Sequence, residues 1–304
     1  MCTVGEHGIS VPHADRAGYN GVPNIRKRLI GSQLRRLREA CGLSVEEVAD
    51  RMGMGPSSLR RQEYGQTAVS VPDVKAYAEI YQIEDPALLA RLLELARHAR
   101  ARGWWSSYDA TVGPTLVDVA DAEDLATGIR TWQPLTIPGL LQTREYSAAV
   151  IGVRRGFASN PNTLPADGFI ALRERRKEIL DRPRPPELWA VIGEAAILTR
   201  VGGPHVMDGQ LQQLLNLGER PNISIQILPF SAGVHAGMGG AFVVMSFDGT
   251  QDGGITYIEN TGSDAFSDDP TQVSERADRF AHLQAQALPL DETRRYLLQA
   301  ISTK

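Results

Sequence analysis

Cysteine is nearly absent: Cys2 and Cys41 are the only two in 304 residues. Two thiols make neither a disulfide framework nor a cysteine-built metal cluster. Histidine is scarce as well, and the six, at positions 7, 13, 98, 205, 235 and 282, show no spacing that suits metal ligands. No run of about 20 apolar residues occurs, so no membrane-spanning helix is expected. The N-terminus lacks the basic-then-apolar pattern of a secretory signal. A Gly-x-Ser-x-Gly nucleophile elbow is missing too. Together these absences predict a cytoplasmic protein with no metal, no cofactor, no membrane partner and no catalytic role.

What is present is length, apolar residues and an uneven distribution of charge. At 304 residues and 42% apolar content, the chain is long enough for two cores. Net charge is −4, yet residues 25–102 carry 14 Lys/Arg against 10 Asp/Glu, a local +4 that leaves about −8 elsewhere. A mildly basic module joined to an acidic one is the expected organisation.

The stretch Leu43–Gly65 organises the basic module. Ser44 followed by Glu47 reads as a capping box that starts a helix. Val48, Ala49 and Met52 supply its apolar face, and Gly53 ends it in a left-handed turn. Gly55-Pro56 opens a second helix, since proline fits the first helical position. Leu59 should point inward. Ser57, Arg60, Arg61 and Tyr64, at i, i+3, i+4 and i+7, share the outward face. A short helix with a Ser/Arg face, braced by a preceding helix, suits a DNA major groove. The alternative is a helical hairpin without nucleic acid.

Around it, 1–24 read as a flexible arm, with a basic minor-groove arm using Arg16 and Arg26-Lys27-Arg28 as the alternative. Ile30–Cys41 should be the first helix, with Leu34, Leu37 and Ala40 facing the core and Cys41 a small core residue. Val71–Tyr81 and a leucine-rich helix from Pro86 to about Arg102 complete five helices; the last could pack on the rest of the domain or on a second copy. Gly103-Trp104-Trp105 marks a boundary, and the tryptophans are expected to pack between domains.

The run Val48-Ala49-Asp50-Arg51-Met52-Gly53-Met54-Gly55 closely resembles the helix-turn-helix of phage lambda-type repressors and the wider xenobiotic-response-element (XRE) regulators. The resemblance implies that Arg38 pairs with Glu63 to fix the recognition helix, and that Gln66 and Thr67 meet phosphate. Two positions depart from that pattern: Val45, where a phosphate-contacting glutamine is common, and Pro56, where lambda repressor reads a base. Gln62 also stands where an aliphatic side chain is usual.

From about Val112 the pattern changes. Helices are expected over 117–129, 144–153, 162–180, 206–217, 270–287 and 290–302. Strands are expected over 188–192, 223–228 (half-buried by its period-two alternation), 241–247 and 255–259. Thr131–Thr143 reads as a proline-punctuated connector, and Ser263–Asp269 as a solvated acidic loop, with cation binding or facing a basic partner as the alternatives. Gly237-Met238-Gly239-Gly240 reads as a turn rather than a phosphate loop, because a strand follows it. His235 is a loop histidine, or lines a pocket with Glu194 or Glu259. The connector ending Pro138-Gly139-Leu140-Leu141-Gln142-Thr143, the Gly-Trp-Trp boundary, the Leu228-Pro229-Phe230 corner and the glycine loop together resemble the domain of unknown function attached to actinobacterial XRE regulators. Some such relatives are antitoxin-like and act with a small protein encoded nearby.

The expected architecture is therefore α+β overall: arm 1–24, an all-α five-helix DNA-binding domain over 25–102, linker 103–115, and an α+β domain with a small, mostly antiparallel sheet over 116–304. The expected function is sequence-specific transcription regulation on double-stranded DNA as a homodimer. Ser57, Ser58, Arg60, Arg61, Tyr64, Gln66 and Thr67 are the expected contacts; Arg38, Glu63, Ser44, Glu47 and Leu59 support them. The competing expectation is an antitoxin-like component whose acidic domain holds a small protein.

Overall fold

A computed structural model describes residues 25–99, 103–108, 114–156, 166–247, 254–258 and 265–302. The expected arm 1–24, Cys2, Glu259 and the start of the acidic loop lie outside the described residues. Among the described residues, 25–98 form five helices: α1 (Ile25–Ala40), α2 (Val45–Arg51), α3 (Pro56–Glu63), α4 (Val71–Ile80) and α5 (Pro86–His98). Ile25, Leu29, Ile30 and Leu34 of α1, Val48 and Ala49 of α2, Leu59 of α3, Val74 and Tyr77 of α4, and Leu92 and Leu95 of α5 form their buried centre. Burying a side chain such as Leu59 stabilises the fold by about 1.5–3 kcal/mol.

Helix α1 starts five residues earlier than its leucine spacing suggested, which takes Arg26 and Arg28 out of the expected basic arm, while Arg16 lies outside the described residues. Arg26 and Arg28 are helical and face the second half of the chain. Arg26 Nε donates to Asp121 Oδ1 at 2.9 Å, and Arg28 Nη2 to Asp268 Oδ1 at 2.8 Å. Ala40 is exposed, contrary to expectation, whereas Arg38 turns inward to meet Glu63. Cys41 is exposed as well, because the chain leaves the helix there through Gly42 at φ +66°. The leucine-rich helix packs on the rest of its own domain through Leu92 and Leu95, which are buried, and Leu88, Leu89 and Leu93 are half-buried.

The second half is α+β. A 3-10 turn, Trp104–Tyr108, leads to α6 (Pro114–Leu125), β1 (Gly128–Gln133), α7 (Arg144–Gly156), α8 (Ala166–Lys177), β2 (Glu187–Gly193), the short α9 (Glu194–Leu198), α10 (Pro204–Leu217) and β3 (Ile223–Leu228). Then come β4 (Phe242–Ser246), β5 (Gly254–Ile258), β6 (Ala265–Ser267), α11 (Pro270–Gln286) and α12 (Leu290–Ser302). The six strands lie in the order β3-β2-β1-β4-β5-β6. Three of the five pairings are antiparallel; β1-β2 and β2-β3 are parallel.

Two expectations fail around β1. The helix expected to reach Ile129 stops at Leu125, and the connector expected from Thr131 begins only at Pro134. Between them Ile129, Thr131 and Trp132 are buried in the middle of the sheet. Proline cannot donate to a ladder, so Pro134 ends that strand. Strand β3 is buried on both faces rather than one: helices cover the parallel part of the sheet, and even Gln226 is enclosed, its Nε2 donating to Leu288 O at 2.9 Å. The acidic loop contains the short strand β6, and its Asp268 meets a basic residue of the same chain, Arg28.

The two halves share a wall. Arg26 lies between Asp121 on α6 and the Trp105 ring, its guanidinium carbon 5.4 Å from the ring centre. Trp105 packs with Val117, Ala120 and Leu172. Arg91 of α5 lies over Phe247, next to the end of β4 that pairs with the start of β1. The five-helix half thus meets the sheet where β1 begins. The loops that leave the ends of β1, β2 and β3 lie at the other end.

Candidate nucleic-acid interface

Local sequence dictates each part of the two-helix hairpin. Ser44 Oγ accepts from Glu47 N at 3.2 Å, and Glu47 Oε2 accepts from Ser44 N at 2.8 Å, so both ends of the capping box are made. The Ser44 N–H, and after it the Ser44 hydroxyl donating to the same Oε2 at 2.8 Å, hold the Glu47 carboxyl below the usual carboxylate range. Gly53 takes φ +64°, and Gly55 caps α3 with Pro56 at its first position.

Four devices brace α3 from behind. Leu59 is fully buried. Arg38 forks onto Glu63, Nε to Oε1 at 2.6 Å and Nη2 to Oε2 at 3.1 Å, and its third nitrogen donates to Leu43 O at 3.1 Å. The Glu63 contact, a hydrogen bond first and a charge attraction second, raises the Arg38 pKa. Gln62, unusual in its position, is accounted for by Tyr77, whose hydroxyl donates to Gln62 Oε1 at 2.5 Å; burial drives that phenol upward in pKa.

The fourth device is a pair of glycines that local sequence pattern does not single out. Gly31 packs against the C-terminal end of α3, and Gly65, at φ +67°, packs against the backbone of Arg28. A β-carbon on Gly65 would stand 2.7 Å from Arg28 N. A glycine inside a helix costs about 1 kcal/mol against alanine, so Gly31 within α1 was itself a signal of close approach.

The opposite side of α3 faces solvent. Ser57, Arg60, Arg61 and Tyr64 are exposed and Ser58 is half-buried. Arg61 Nη2 donates to Ser58 Oγ at 3.3 Å, and Arg60 Nη2 to Glu46 Oε1 at 3.2 Å. The Arg35 guanidinium lies 5.4 Å from the centre of the Tyr64 ring, so α1 adds a cation beside the recognition face. Gln66 and Thr67 are exposed, with both backbone N–H groups donated to Arg61 O at 2.8 and 3.1 Å. Only their side chains are therefore open to a phosphate. The arrangement can offer two guanidinium groups and several hydroxyl and amide donors to a nucleic acid, from a rod whose rear is fixed.

Elsewhere the other candidates separate. His235 Nδ1 accepts from Gly237 N at 3.1 Å, and its ring meets Trp132 edge-on. Glu194 accepts from Phe230 N at 2.6 Å and from the Tyr296 hydroxyl at 2.6 Å, with no hydrogen bond to His235 among the described residues. The glycine loop is a turn closed by Gly240 N to Gly237 O at 3.2 Å before β4. Among the described residues, no group of three His, Cys, Asp or Glu side chains could hold a metal ion, and no helix is long and apolar enough to cross a membrane.

No curated protein and no solved structure matches this chain. Two family models do. The model described as a helix-turn-helix domain matches residues 29–92, which contain the braced hairpin. A second, described as Domain of unknown function (DUF5753), matches residues 116–299, more than half of the chain. With a helix-turn-helix domain ahead of it, the chain belongs to the family of that domain of unknown function.

Proposed function

We propose that this protein is a sequence-specific transcriptional regulator that binds double-stranded DNA as a homodimer. The observation that carries the reading is the contrast between the two sides of α3. Arg60 and Arg61 stand in solvent, clear of the second half of the chain, while a buried ion pair holds the rod from behind. Arginine pairs with both acceptors of guanine in the major groove, and serine and tyrosine hydroxyls bond to phosphate or base edges. Ser57, Ser58, Arg60, Arg61 and Tyr64 are the proposed contacts, with the Gln66 and Thr67 side chains on phosphate. A dimer would place two such rods on two half-sites. The protein is proposed to have no catalytic role.

The test is binding to its own upstream DNA and to a random duplex across a salt series. Specific binding that survives salt supports the reading; weak, sequence-independent binding overturns it. Arg61→Ala should cost about 1–3 kcal/mol on the preferred site.

A second reading concerns the α+β half. Leu135, Leu198, Phe230, Val234 and Met238 are each more than half exposed. All five lie on segments that follow the ends of β1, β2 and β3, at the end of the sheet away from the helix-turn-helix. Such residues favour a protein-holding role, compatible with an antitoxin-like partnership with a small protein encoded next door. Capture of that neighbouring product by wild type, and its loss with Phe230→Ser, would support it; equal capture by both would sink it.

A further inference from the structure

Two charged side chains from other helices flank the outward face of α3, and they have opposite signs. Arg35 of α1 lies beside Tyr64, as described above. One turn earlier on the same face, Arg60 is held by Glu46 in the first turn of α2, with both side chains more than half exposed. Glu47, its neighbour, is already committed to Ser44. The only hydrogen bond of the Glu46 carboxylate among the described residues is to Arg60.

We propose that Glu46 is a specificity-determining residue of the DNA interface: it withholds the Arg60 guanidinium from phosphate and yields it to base edges. The inference rests on the regulator reading. A phosphate that approaches Arg60 in this pose also approaches the Glu46 carboxylate, and like charges repel. Non-specific binding is almost wholly this phosphate electrostatics, so the penalty falls chiefly there. A guanine edge is uncharged and offers two acceptors to one guanidinium, so it draws Arg60 away without the same repulsion. An exposed ion pair is weak enough to be exchanged on binding, at about 0.2–1 kcal/mol.

The test measures affinity of wild type, Glu46→Gln, Arg60→Gln and the double variant for the upstream duplex and for a random duplex, each over a salt series. With Glu46→Gln the preference for the upstream duplex should fall by a factor of about 1.4 to 5, the range that an exposed pair spans. The salt dependence on random DNA should steepen by about 0.9, one further phosphate contact. In the Arg60→Gln background Glu46→Gln should change nothing. An unchanged preference, or an effect that persists without Arg60, overturns the assignment while wild-type discrimination keeps the regulator reading intact. A wild type that binds both duplexes alike removes the regulator reading, and the role of Glu46 goes with it.

Discussion

Gly31 of α1 lies so close to α3 that a β-carbon on it would stand 2.6 Å from the carbonyl oxygen of Glu63. The atom in the way is backbone, which cannot swing aside. Alanine in place of glycine inside a helix normally stabilises by about 1 kcal/mol. Here the sign should reverse, and Gly31→Ala should destabilise by about 1–3 kcal/mol as α3 is pushed outward. Urea unfolding of the variant measures this; a rise in stability would mean that the two backbones are not in contact. The same variant should lose DNA affinity, because the displaced helix no longer presents Arg60 and Arg61 together.

Arg38 and Glu63 make a buried pair, with side-chain exposures of 11% and 2%. Removing one partner strands the other charge, at about 3–5 kcal/mol. Arg38→Met and Glu63→Met should each approach that loss, while the double variant should recover much of it. A double-mutant cycle by chemical denaturation checks the pattern. Simple additivity of the two losses would contradict the pairing.

Asp121 ties pH to stability. Burial, opposed by Arg26 and assisted by Asp124, pushes its carboxyl up to about 6. The folded protein therefore holds this proton more tightly than the unfolded chain, whose aspartates titrate at about 3.9. Its favourable contribution is full below about pH 4 and is lost as pH rises through 6, amounting to about 2–3 kcal/mol. Asp121→Asn abolishes the titration. Between pH 4 and pH 7 wild type should lose that much stability relative to the variant. Parallel pH profiles would show that Asp121 ionises normally.

Arg35 is predicted to be a phosphate contact supplied from outside the recognition helix. Its position beside Tyr64 keeps the guanidinium at the rim of the outward face. Arg35→Ala should weaken binding uniformly across DNA sequences and lower the salt slope by about one. A change confined to one base position would instead make it a base reader.

Local chemistry made the helix-turn-helix legible before any coordinates. Ser44, Glu47, Gly53 and Pro56 each act within a few residues of themselves, so their pattern carries its own meaning. The Arg38–Glu63 pair came from family resemblance, and the structure has it. What stayed hidden was decided by contacts distant in sequence. Arg26 looked like a free cation until Asp121, 95 residues on, took it. Ile129–Trp132 read as the tail of a helix and a connector, because nothing nearby reveals strands on both sides. Gln62 looked out of place until Tyr77 supplied a donor. Cys41 was misjudged for the reverse reason: a small apolar residue near a helix end gives no sign of which way the chain turns next.

Because Arg26 has Asp121 and the Trp105 ring as its neighbours, trimming the protein to its first hundred residues would not yield a faithful miniature. The shortened chain would lack the Asp121 carboxylate and the indole that receive this guanidinium in the full-length molecule. An honest minimal reader of DNA would need new polar side chains along that edge before its affinity could be compared with that of the intact protein.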